Sequence, residues 1–240
     1  MTTKVLGKEV KSYSKGSFKS LDPIDRGHRP NQNGVDYWNG YEFTFLDKNK
    51  NPTLKVLEIQ IPATSKFTVE SKSLKIYLNS FYNKKFNKDS EALVKIKKDL
   101  SRLCKSDVKA KFISKFNNAP ESILLNTLKT TKTKTNKVYC FAGFRSICPV
   151  TSQPDFANIY FIANNALNIS WLTKYFKSYR ERGDFHEHCV ESMFHDIKKE
   201  FGCTSLEVSG RFMRRGGIDI NPTRSSSKKL LFKNFRFFNQ

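Results

Sequence analysis

The chain has 240 residues, of which 38% are hydrophobic and 13% aromatic, enough to bury a core in one large domain or two small ones. It contains no run of about eighteen apolar residues, and its first residues lack the apolar segment of a signal peptide, so neither a transmembrane helix nor secretion is expected. The formal net charge of +21 favours anionic partners such as phosphorylated cofactors, nucleic acid or anionic membranes, although lysines dispersed over solvated faces give the same count.

The first half of the chain predicts a hairpin, two helices and further strands. Residues 1–36 are polar and turn-rich, which predicts an irregular arm. Alternating apolar residues predict strands and helical spacing predicts helices, with Asp89 and Ser90 capping the second helix. The predicted elements are strands at 37–46 and 54–61, helices at 71–82 and 89–103, a strand at 108–116 and a further one at 122–128.

The second half repeats this order after a basic, low-complexity connector at 129–137. A repeat is supported by Leu74–Phe81, which aligns without gaps with Leu172–Tyr179. The predicted elements are strands at 138–146 and 157–162, helices at 169–182 and 186–201, and strands at 206–213 and 230–238.

Each half therefore predicts an α+β unit of order ββααββ, an antiparallel sheet with both helices on one face. One such unit is small for a stable core, so two tandem copies are expected to pack together. The predicted domains are an N-terminal arm at 1–36, a first module at 37–128, a basic linker at 129–137 and a second module at 138–240.

The stretch CPVTSQPD places the thiol of Cys148 and the carboxylate of Asp155 around a turn that two prolines stiffen. A thiolate and an acid held close together suit covalent chemistry on a carbon electrophile. An isolated cysteine is more often a buried, inert side chain, so the rest of the chain must decide between the two readings. The other cysteines are scattered without a Cys-x-x-Cys pair, which favours a reducing, cytoplasmic setting: Cys104, Cys140, Cys189 and Cys203.

Three more polar stretches lie where the core pattern does not require them. Glu70 and Ser71 begin the first predicted helix, where they could simply act as caps. Residues 185–189 (FHEHC) begin the last helix; two histidines two positions apart point to different faces, so no metal site is predicted there. Residues 214–217 (RRGG) form a flexible turn that carries either two phosphate-binding arginines or a charged bulge.

Taken together, CPVTSQPD, VESKSLKIYLNSF, FHEHCVES and RRGGIDINP closely resemble the NADPH-dependent 7-cyano-7-deazaguanine reductases, the nitrile reductases of queuosine biosynthesis, in their two-module form. The resemblance covers nearly the whole chain. It implies the tandem tunnelling fold (T-fold) of that superfamily, reduction of a nitrile to an aminomethyl group with NADPH, and a product destined for tRNA modification.

The resemblance also implies roles for individual residues. Cys148 is the nucleophile that forms a thioimide with the nitrile, Asp155 the proton donor, and His186 lies beside the reacting group. Glu187 is the carboxylate that anchors the purine-like ring. The remaining implied contacts are Val69, Glu70 and Ser71 to the substrate, and Ser71, Lys72, Arg215 and Gly216 to NADPH.

Because the first half keeps Glu70 to Lys72 and the second half keeps Cys148 to Glu187, each half has part of a site, and the pocket is expected to be completed within one chain or across a homodimer. Two other functions remain open. One is a relative that forms the same thioimide but passes the nitrile carbon to another nitrogen source, like an amidinotransferase. The other is a basic nucleic-acid-binding protein on the same scaffold.

Overall fold

The computed structural model describes residues 17–27, 33–149, 151–238 and 240. The chain forms two compact units. Unit 1 consists of residues 37–115 together with 214–219 and the described residues before 28, and unit 2 consists of 116–213 together with 33–36 and 220–240. No helix of the described residues is long and apolar enough to cross a membrane.

Unit 1 contains a sheet of order β5-β3-β2 and two helices. Aromatic rings pack along this sheet and against the turn that follows α1. The ring centroid of Phe43 in β2 lies 5.3 Å from that of Phe81 in the turn and 5.8 Å from that of Phe112 in β5. The elements are β2 (Asn33–Leu46), β3 (Pro52–Pro62), α1 (Ser71–Asn79), α2 (Asp89–Cys104) and β5 (Lys109–Ile113), with a small separate sheet of β1 (Pro23–Asp25) and β4 (Phe67–Val69).

Unit 2 contains a sheet of order β10-β9-β8-β7-β6. Its core lies between the sheet and the helices, where the tilted rings of Phe141 and Phe176 pack with centroids 5.0 Å apart and Leu172, Met193 and Ile197 are completely buried. The elements are β6 (Ile123–Leu124), β7 (Val138–Ile147), β8 (Pro154–Ala163), α3 (Ile169–Lys177), α4 (His186–Phe201), β9 (Leu206–Phe212) and β10 (Ile218–Ser225).

The predicted α+β class is confirmed, with antiparallel-rich sheets and the helices on one side, as in T-fold modules. The first predicted hairpin of each half and all four predicted helices are present, and α4 has the predicted bounds. The predicted strands at 108–116 and 122–128 do not form a hairpin, because β5 pairs with β3 and β6 pairs with β7. The second helix begins at Asp89 itself, so the prediction that Asp89 and Ser90 cap it is wrong: the N-cap residue is Lys88.

The predicted last strand at 230–238 is wrong. The last strand among the described residues is instead β10, which follows the glycine turn directly and contains Pro222, a residue that argues against a strand in sequence reasoning. The phenylalanines of the predicted strand pack otherwise: Phe232 and Phe235 are buried against Tyr160. Their spacing of three reflects this cluster rather than strand alternation.

Two regions predicted as irregular or linking are partly ordered. The predicted arm at 1–36 contains a short 3-10 helix (Phe18–Ser20), β1 and the start of β2, while residues 1–16 and 28–32 lie outside the described residues. Residues 116–128 belong to unit 2, where β6 runs parallel to β7. In the connector, Thr133 is buried and exchanges hydrogen bonds with Leu167. The division into modules at 37–128 and 138–240 stays a prediction.

Candidate functional site

Cys148 lies in the tight turn that joins β7 to β8. Its backbone N–H donates to the carbonyl of Gln153 at 2.9 Å, and its carbonyl accepts from the N–H of Ser152 at 3.0 Å. Ser152 has a positive φ of 56°, which closes the turn. The thiol of Cys148 is half-buried, whereas the other four cysteines are buried and all five are free.

A second segment holds this turn from the side. The N–H of Ile147 donates to the carbonyl of Arg182, and the N–H of Asp184 donates to the carbonyl of Ile147, both at 3.0 Å. Between these two bonds Gly183 lies against Pro149, so close that a Cβ on Gly183 would be 3.4 Å from the Cα of Pro149. The chain after Asp184 runs straight into α4, so the segment links the Cys148 turn to the start of that helix.

Asp155 and His186 form a close pair. Asp155 follows Pro154 at the start of β8, opposite Ser146 of β7. Its Oδ2 lies 3.2 Å from Nε2 of His186, the first residue of α4, and the two side chains are 5% and 14% exposed. The other ring nitrogen of His186, Nδ1, is buried without a hydrogen-bond partner among the described residues. This arrangement favours the tautomer with the proton on Nε2, facing Asp155.

Glu187 is buried in the first turn of α4, where the positive end of the helix dipole stabilises a carboxylate. Two positions further on, Cys189 is fully buried, and burial together with the charge of Asp184 raises the pKa of its thiol far above the ordinary value. Burial likewise raises the pKa of Cys140 to about 11. These two thiols are therefore poor nucleophiles at neutral pH. Among the five cysteines, Cys148 is the one that is not buried.

One turn beyond Glu187, Glu191 anchors α4 to the sheet. Arg224 of β10 donates from Nη2 to Oε1 of Glu191 at 2.9 Å and from Nη1 to Oδ1 of Asp36 at 2.6 Å, and all three side chains are completely buried. Burial alone lowers an arginine pKa, but the two carboxylates raise that of Arg224 above its ordinary value. The charged bonds hold α4, and with it Glu187, in a fixed position.

In unit 1, Glu70 is the N-cap of α1. Its two carboxylate oxygens accept from the backbone N–H groups of Lys72 and Ser73, each at 2.7 Å, and its side chain is 1% exposed. Val69 ends β4 just before it, and Ser71 donates its hydroxyl to Glu70 at 3.3 Å. The capping role considered from the sequence is thus real, and a carboxylate with about four acceptor sites can take further donors.

The glycine turn of residues 214–217 lies beside α1. Gly216 and Gly217 have φ values of 57° and 78°, which other residues rarely adopt. A Cβ on Gly216 would lie 3.2 Å from Nζ of Lys75, and one on Gly217 would lie 2.7 Å from a carboxylate oxygen of Glu42. A small pocket of about 60 Å³ lies here, and Lys75, Glu42 and both glycines line it.

The structure thus gathers the predicted site residues into two groups. Cys148, Asp155, His186 and Glu187 belong to unit 2, and the other group, Val69, Glu70, Ser71, Lys72, Arg215 and Gly216, belongs to unit 1. His186 faces Asp155 while Nδ1 of His188 faces Asp184 at 3.3 Å, so the two histidines have different partners. Among the described residues no cluster of histidine, cysteine and acidic side chains is arranged to hold a metal ion.

Sequence reasoning missed three residues at these places. Lys75 follows Lys72 by one helical turn, a spacing that could have indicated it. Gly183 and Phe212 could not be found from the sequence, because their importance lies in contacts with residues distant along the chain. Gly183 packs on Pro149, and the ring of Phe212 stacks on that of His186 with centroids 3.8 Å apart.

The fold and site define a class: a tandem T-fold protein with a thiol, a carboxylate and an imidazole at one hairpin. Comparison of the sequence with known proteins identifies the family. Residues 19–112 match the family model described as "Nitrile reductase, 7-cyano-7-deazaguanine-reductase N-term", and residues 154–230 match the one described as "QueF-like protein".

Three similar relatives are each named NADPH-dependent 7-cyano-7-deazaguanine reductase. The protein of Coxiella burnetii (strain Dugway 5J108-111) is 35% identical over 230 residues, 86% of this chain and 82% of the relative. The protein of Desulfotalea psychrophila is 36% identical, and the alignment covers 80% of this chain and 78% of the relative. The protein of Buchnera aphidicola subsp. Schizaphis graminum is 34% identical, and the alignment covers 81% of this chain and 83% of the relative. The chain belongs to the 7-cyano-7-deazaguanine reductase family, which confirms the resemblance seen in the sequence.

Proposed function

We propose that this chain reduces the nitrile of 7-cyano-7-deazaguanine to an aminomethyl group with NADPH, in the formation of queuosine for tRNA. The observation that carries the proposal is the arrangement of Cys148 in the β7–β8 turn, with Asp155 on the same hairpin and paired to His186 at 3.2 Å. A thiol nucleophile and a proton donor on one hairpin, with an imidazole facing the donor, are what addition to a nitrile needs.

Cys148 is the proposed nucleophile because it is the one half-buried thiol of the chain. Its sulfur adds to the nitrile carbon, the triple bond becomes a C=N double bond, and a proton goes to the nitrogen. The product is a covalent thioimide. This addition turns a poor hydride acceptor into a good one, and the thiolate leaves again after the first reduction.

Asp155 is the proposed donor of the proton to the nitrile nitrogen. It begins β8 at the end of the turn that carries Cys148, so both groups belong to one short hairpin. His186 holds its Nε2 towards Asp155 and orients this carboxyl group, and the proton that Asp155 delivers is the one that the Cys148 thiol gives up. Because the His186 ring is mostly buried, water competes little for this pair.

The deazaguanine ring is proposed to bind through buried carboxylates. Glu187, 4% exposed, accepts from the N–H edge of the base, a two-point contact that selects guanine-like rings. Val69, Glu70 and Ser71 are the further proposed contacts to the substrate. Glu70 retains acceptor capacity beyond its two bonds to the α1 backbone.

The residues proposed to hold NADPH fit an anionic cofactor. Ser71 and Lys72 lie on the first turn of α1, Lys75 lies on the next, and Gly216 approaches the Lys75 ammonium closely. Arg215 belongs to the same turn as Gly216, which gathers cationic side chains and open backbone for phosphate groups. When bound, NADPH supplies hydride to the former nitrile carbon, once for each of two reductions.

Two further proposals concern the setting of the enzyme. Five free cysteines support a reducing compartment, the cytoplasm. A homodimer is expected from the resemblance, and sedimentation equilibrium of the full chain tests it.

The test of the function combines two measurements on the full chain. Mixing with 7-cyano-7-deazaguanine and NADPH should consume two equivalents of NADPH for each nitrile. Without NADPH, intact mass should show a covalent adduct that Cys148→Ala abolishes and that Cys203→Ala, which removes a buried thiol of the same unit, retains. An adduct without any NADPH consumption would contradict reduction and favour transfer of the nitrile carbon to another nitrogen source.

A further inference from the structure

His186 is stacked on an aromatic ring that none of the roles above uses. The imidazole of His186 and the ring of Phe212, the last residue of β9, lie with centroids 3.8 Å apart and planes inclined by only 7°. A parallel stack at this distance restricts tilting of the imidazole about its side-chain bonds. The direction in which Nε2 points therefore depends on where the Phe212 ring lies.

The place of the Phe212 ring is built into the sheet below it. Gly210, two residues earlier on the same face of β9, leaves the room for it: a Cβ there would lie 2.7 Å from Cε2 of Phe212 and 2.8 Å from Cγ2 of Val190. Phe144 meets Phe212 edge-on at 6.1 Å. Phe212 itself is completely buried, so the ring has no alternative position in solvent.

In addition to its pairing with β8, the backbone of Phe212 is held by two side chains. Its N–H donates to Oδ1 of Asn221 at 3.1 Å, and its carbonyl accepts from Nε2 of Gln240 at 2.9 Å. The same Nε2 donates to Oδ1 of Asn221 at 2.5 Å, so Gln240 closes a ring of three hydrogen bonds. Gln240 is 7% exposed, although the residue two positions before it, Phe238, is fully exposed.

We propose that Gln240 and Asn221 act through Phe212 as positioning residues for His186. The amide of Gln240 fixes the Phe212 backbone, the Phe212 ring fixes the plane of the imidazole, and the imidazole then keeps Nε2 directed at Asp155. This inference rests on the proposed function, in which Asp155 donates the proton and His186 orients its carboxyl group. Proton transfer depends steeply on geometry, since hydrogen bonds weaken sharply when their angle falls towards 120°.

Two variants break the chain of contacts at different points. Gln240→Glu has nearly the same size as the native residue but replaces the donor with an acceptor that faces two oxygens. Phe212→Leu removes the flat ring, and Phe212→Tyr restores one. The matched control is Phe238→Ala, a neighbouring residue of the same segment whose ring is exposed.

The expected result is a split between kcat and KM. Gln240→Glu and Phe212→Leu should each lower kcat by about 10-fold, while KM and the yield of the covalent adduct without NADPH stay at wild-type values. They do so because Cys148 and Glu187 keep their own supports. Phe212→Tyr should recover most of kcat, and Phe238→Ala should match the wild type.

A second readout does not depend on turnover. In histidine-labelled protein, the ring protons of His186 should be shifted upfield by Phe212, and its nitrogen signals should show the tautomer protonated on Nε2. Gln240→Glu should reduce the upfield shift, and Phe212→Leu should abolish it. A wild-type chain that consumes no NADPH would refute the proposed function; unchanged kcat and unchanged His186 signals in Gln240→Glu, in an active wild type, would overturn this inference alone.

Discussion

The two hairpins of the repeat have nearly the same backbone but carry different chemistry. In unit 1, Leu46 exchanges two backbone hydrogen bonds with the segment after α1, through Lys84 and Phe86. In unit 2, Ile147 does the same with the segment after α3, through Arg182 and Asp184. The next residue in each hairpin is thus held in an equivalent place.

That next residue is Asp47 in unit 1 and Cys148 in unit 2. The Asp47 carboxylate accepts from the backbone N–H groups of Asn49 and Asn51, each at 2.8 Å, and so stabilises its own turn. The Cys148 turn is one residue longer and is closed by backbone bonds between Cys148, Ser152 and Gln153. The comparison teaches that equivalent positions of the two hairpins carry a side chain that stabilises its own turn in unit 1 and one that can react in unit 2.

The largest loss of NADPH turnover is expected at the second residue of the strand that follows each turn. Each turn ends in a proline, Pro52 or Pro154, followed by Thr53 in unit 1 and Asp155 in unit 2. Asp155→Asn keeps the shape of the side chain and removes the acid, so NADPH turnover should fall by about 100-fold or more. Thr53→Asn, the matched change in the other hairpin, should leave turnover unchanged. Equal turnover in Asp155→Asn and wild type would show that the pair with His186 is structural.

The second helices give the next comparison. Both α2 and α4 have 16 residues, but the second residue of α2 is the exposed Ser90 and that of α4 is the buried Glu187. Glu187→Gln removes a charged acceptor for which hydrogen bonds are worth about 1.5–3 kcal/mol. We expect kcat/KM to fall by about 100-fold, mainly through KM, with little change in Tm. Ser90→Ala should change neither, and a Tm drop without a KM change in Glu187→Gln would limit Glu187 to stability.

Much of this fold could be predicted because hydrophobic periodicity is a local signal. The first hairpin of each half and the helices α1 to α4 follow from alternation and helical spacing within each segment. The last strand could not, because Pro222 interrupts the pattern of β10 while the aromatic run around Phe232 and Phe235 imitates a strand. There, tertiary packing overrides local preference.

The candidate site divides in the same way. Cys148, Asp155, His186 and Glu187 were recognisable because they lie in short, ordered motifs, although their roles stay proposals. Phe212 gave no such signal, since its contact with His186 joins residues 26 positions apart that the sheet brings together. Support from outside a motif is visible only once pairing and register are known.

The first helices of the two units differ in their caps, and a smaller effect is expected there. The N-cap of α1 is the buried Glu70, and that of α3 is Asn168, whose Oδ1 accepts from the N–H of Trp171 at 2.9 Å. Glu70→Asn converts the first cap into the second, so the free energy of unfolding should change by less than about 1 kcal/mol. Turnover should nevertheless fall by about 10-fold, because the substrate loses a charged acceptor.

The control for Glu70→Asn is Asn168→Ala, which removes a cap without a proposed substrate contact. It should cost about 1 kcal/mol of stability in urea unfolding and leave KM unchanged. If Glu70→Asn retained full turnover, the carboxylate of Glu70 would be needed only as a cap, and the two helix entries would be functionally alike.

The smallest expected effect concerns the turn of unit 1 and the way in which its contribution to folding stability depends on pH. The backbone N–H of Asn51, followed by that of Asn49, lowers the pKa of Asp47 below its ordinary value of 3.8. A carboxylate with a lowered folded-state pKa stabilises the fold above the unfolded-state pKa, and this contribution disappears as the pH falls through the folded-state pKa. Wild type should therefore be slightly more stable than Asp47→Asn at pH 7, and the difference should shrink as the pH falls past 3.8 and vanish in acid below the lowered folded-state pKa.

Urea unfolding at both pH values measures this difference, and Asp107→Asn, at an exposed carboxylate of the same unit, controls for the loss of one negative charge. Turnover should be the same in all three proteins, because the turn of unit 1 has a structural role only. A turnover defect in Asp47→Asn, or a stability difference that persists in acid, would contradict the division between a stabilising first turn and a reactive second one. The expected result would instead show that the two hairpins share one backbone arrangement with two uses. The residue at the start of the turn stabilises that turn in unit 1, where it is Asp47, and is available to react in unit 2, where it is Cys148.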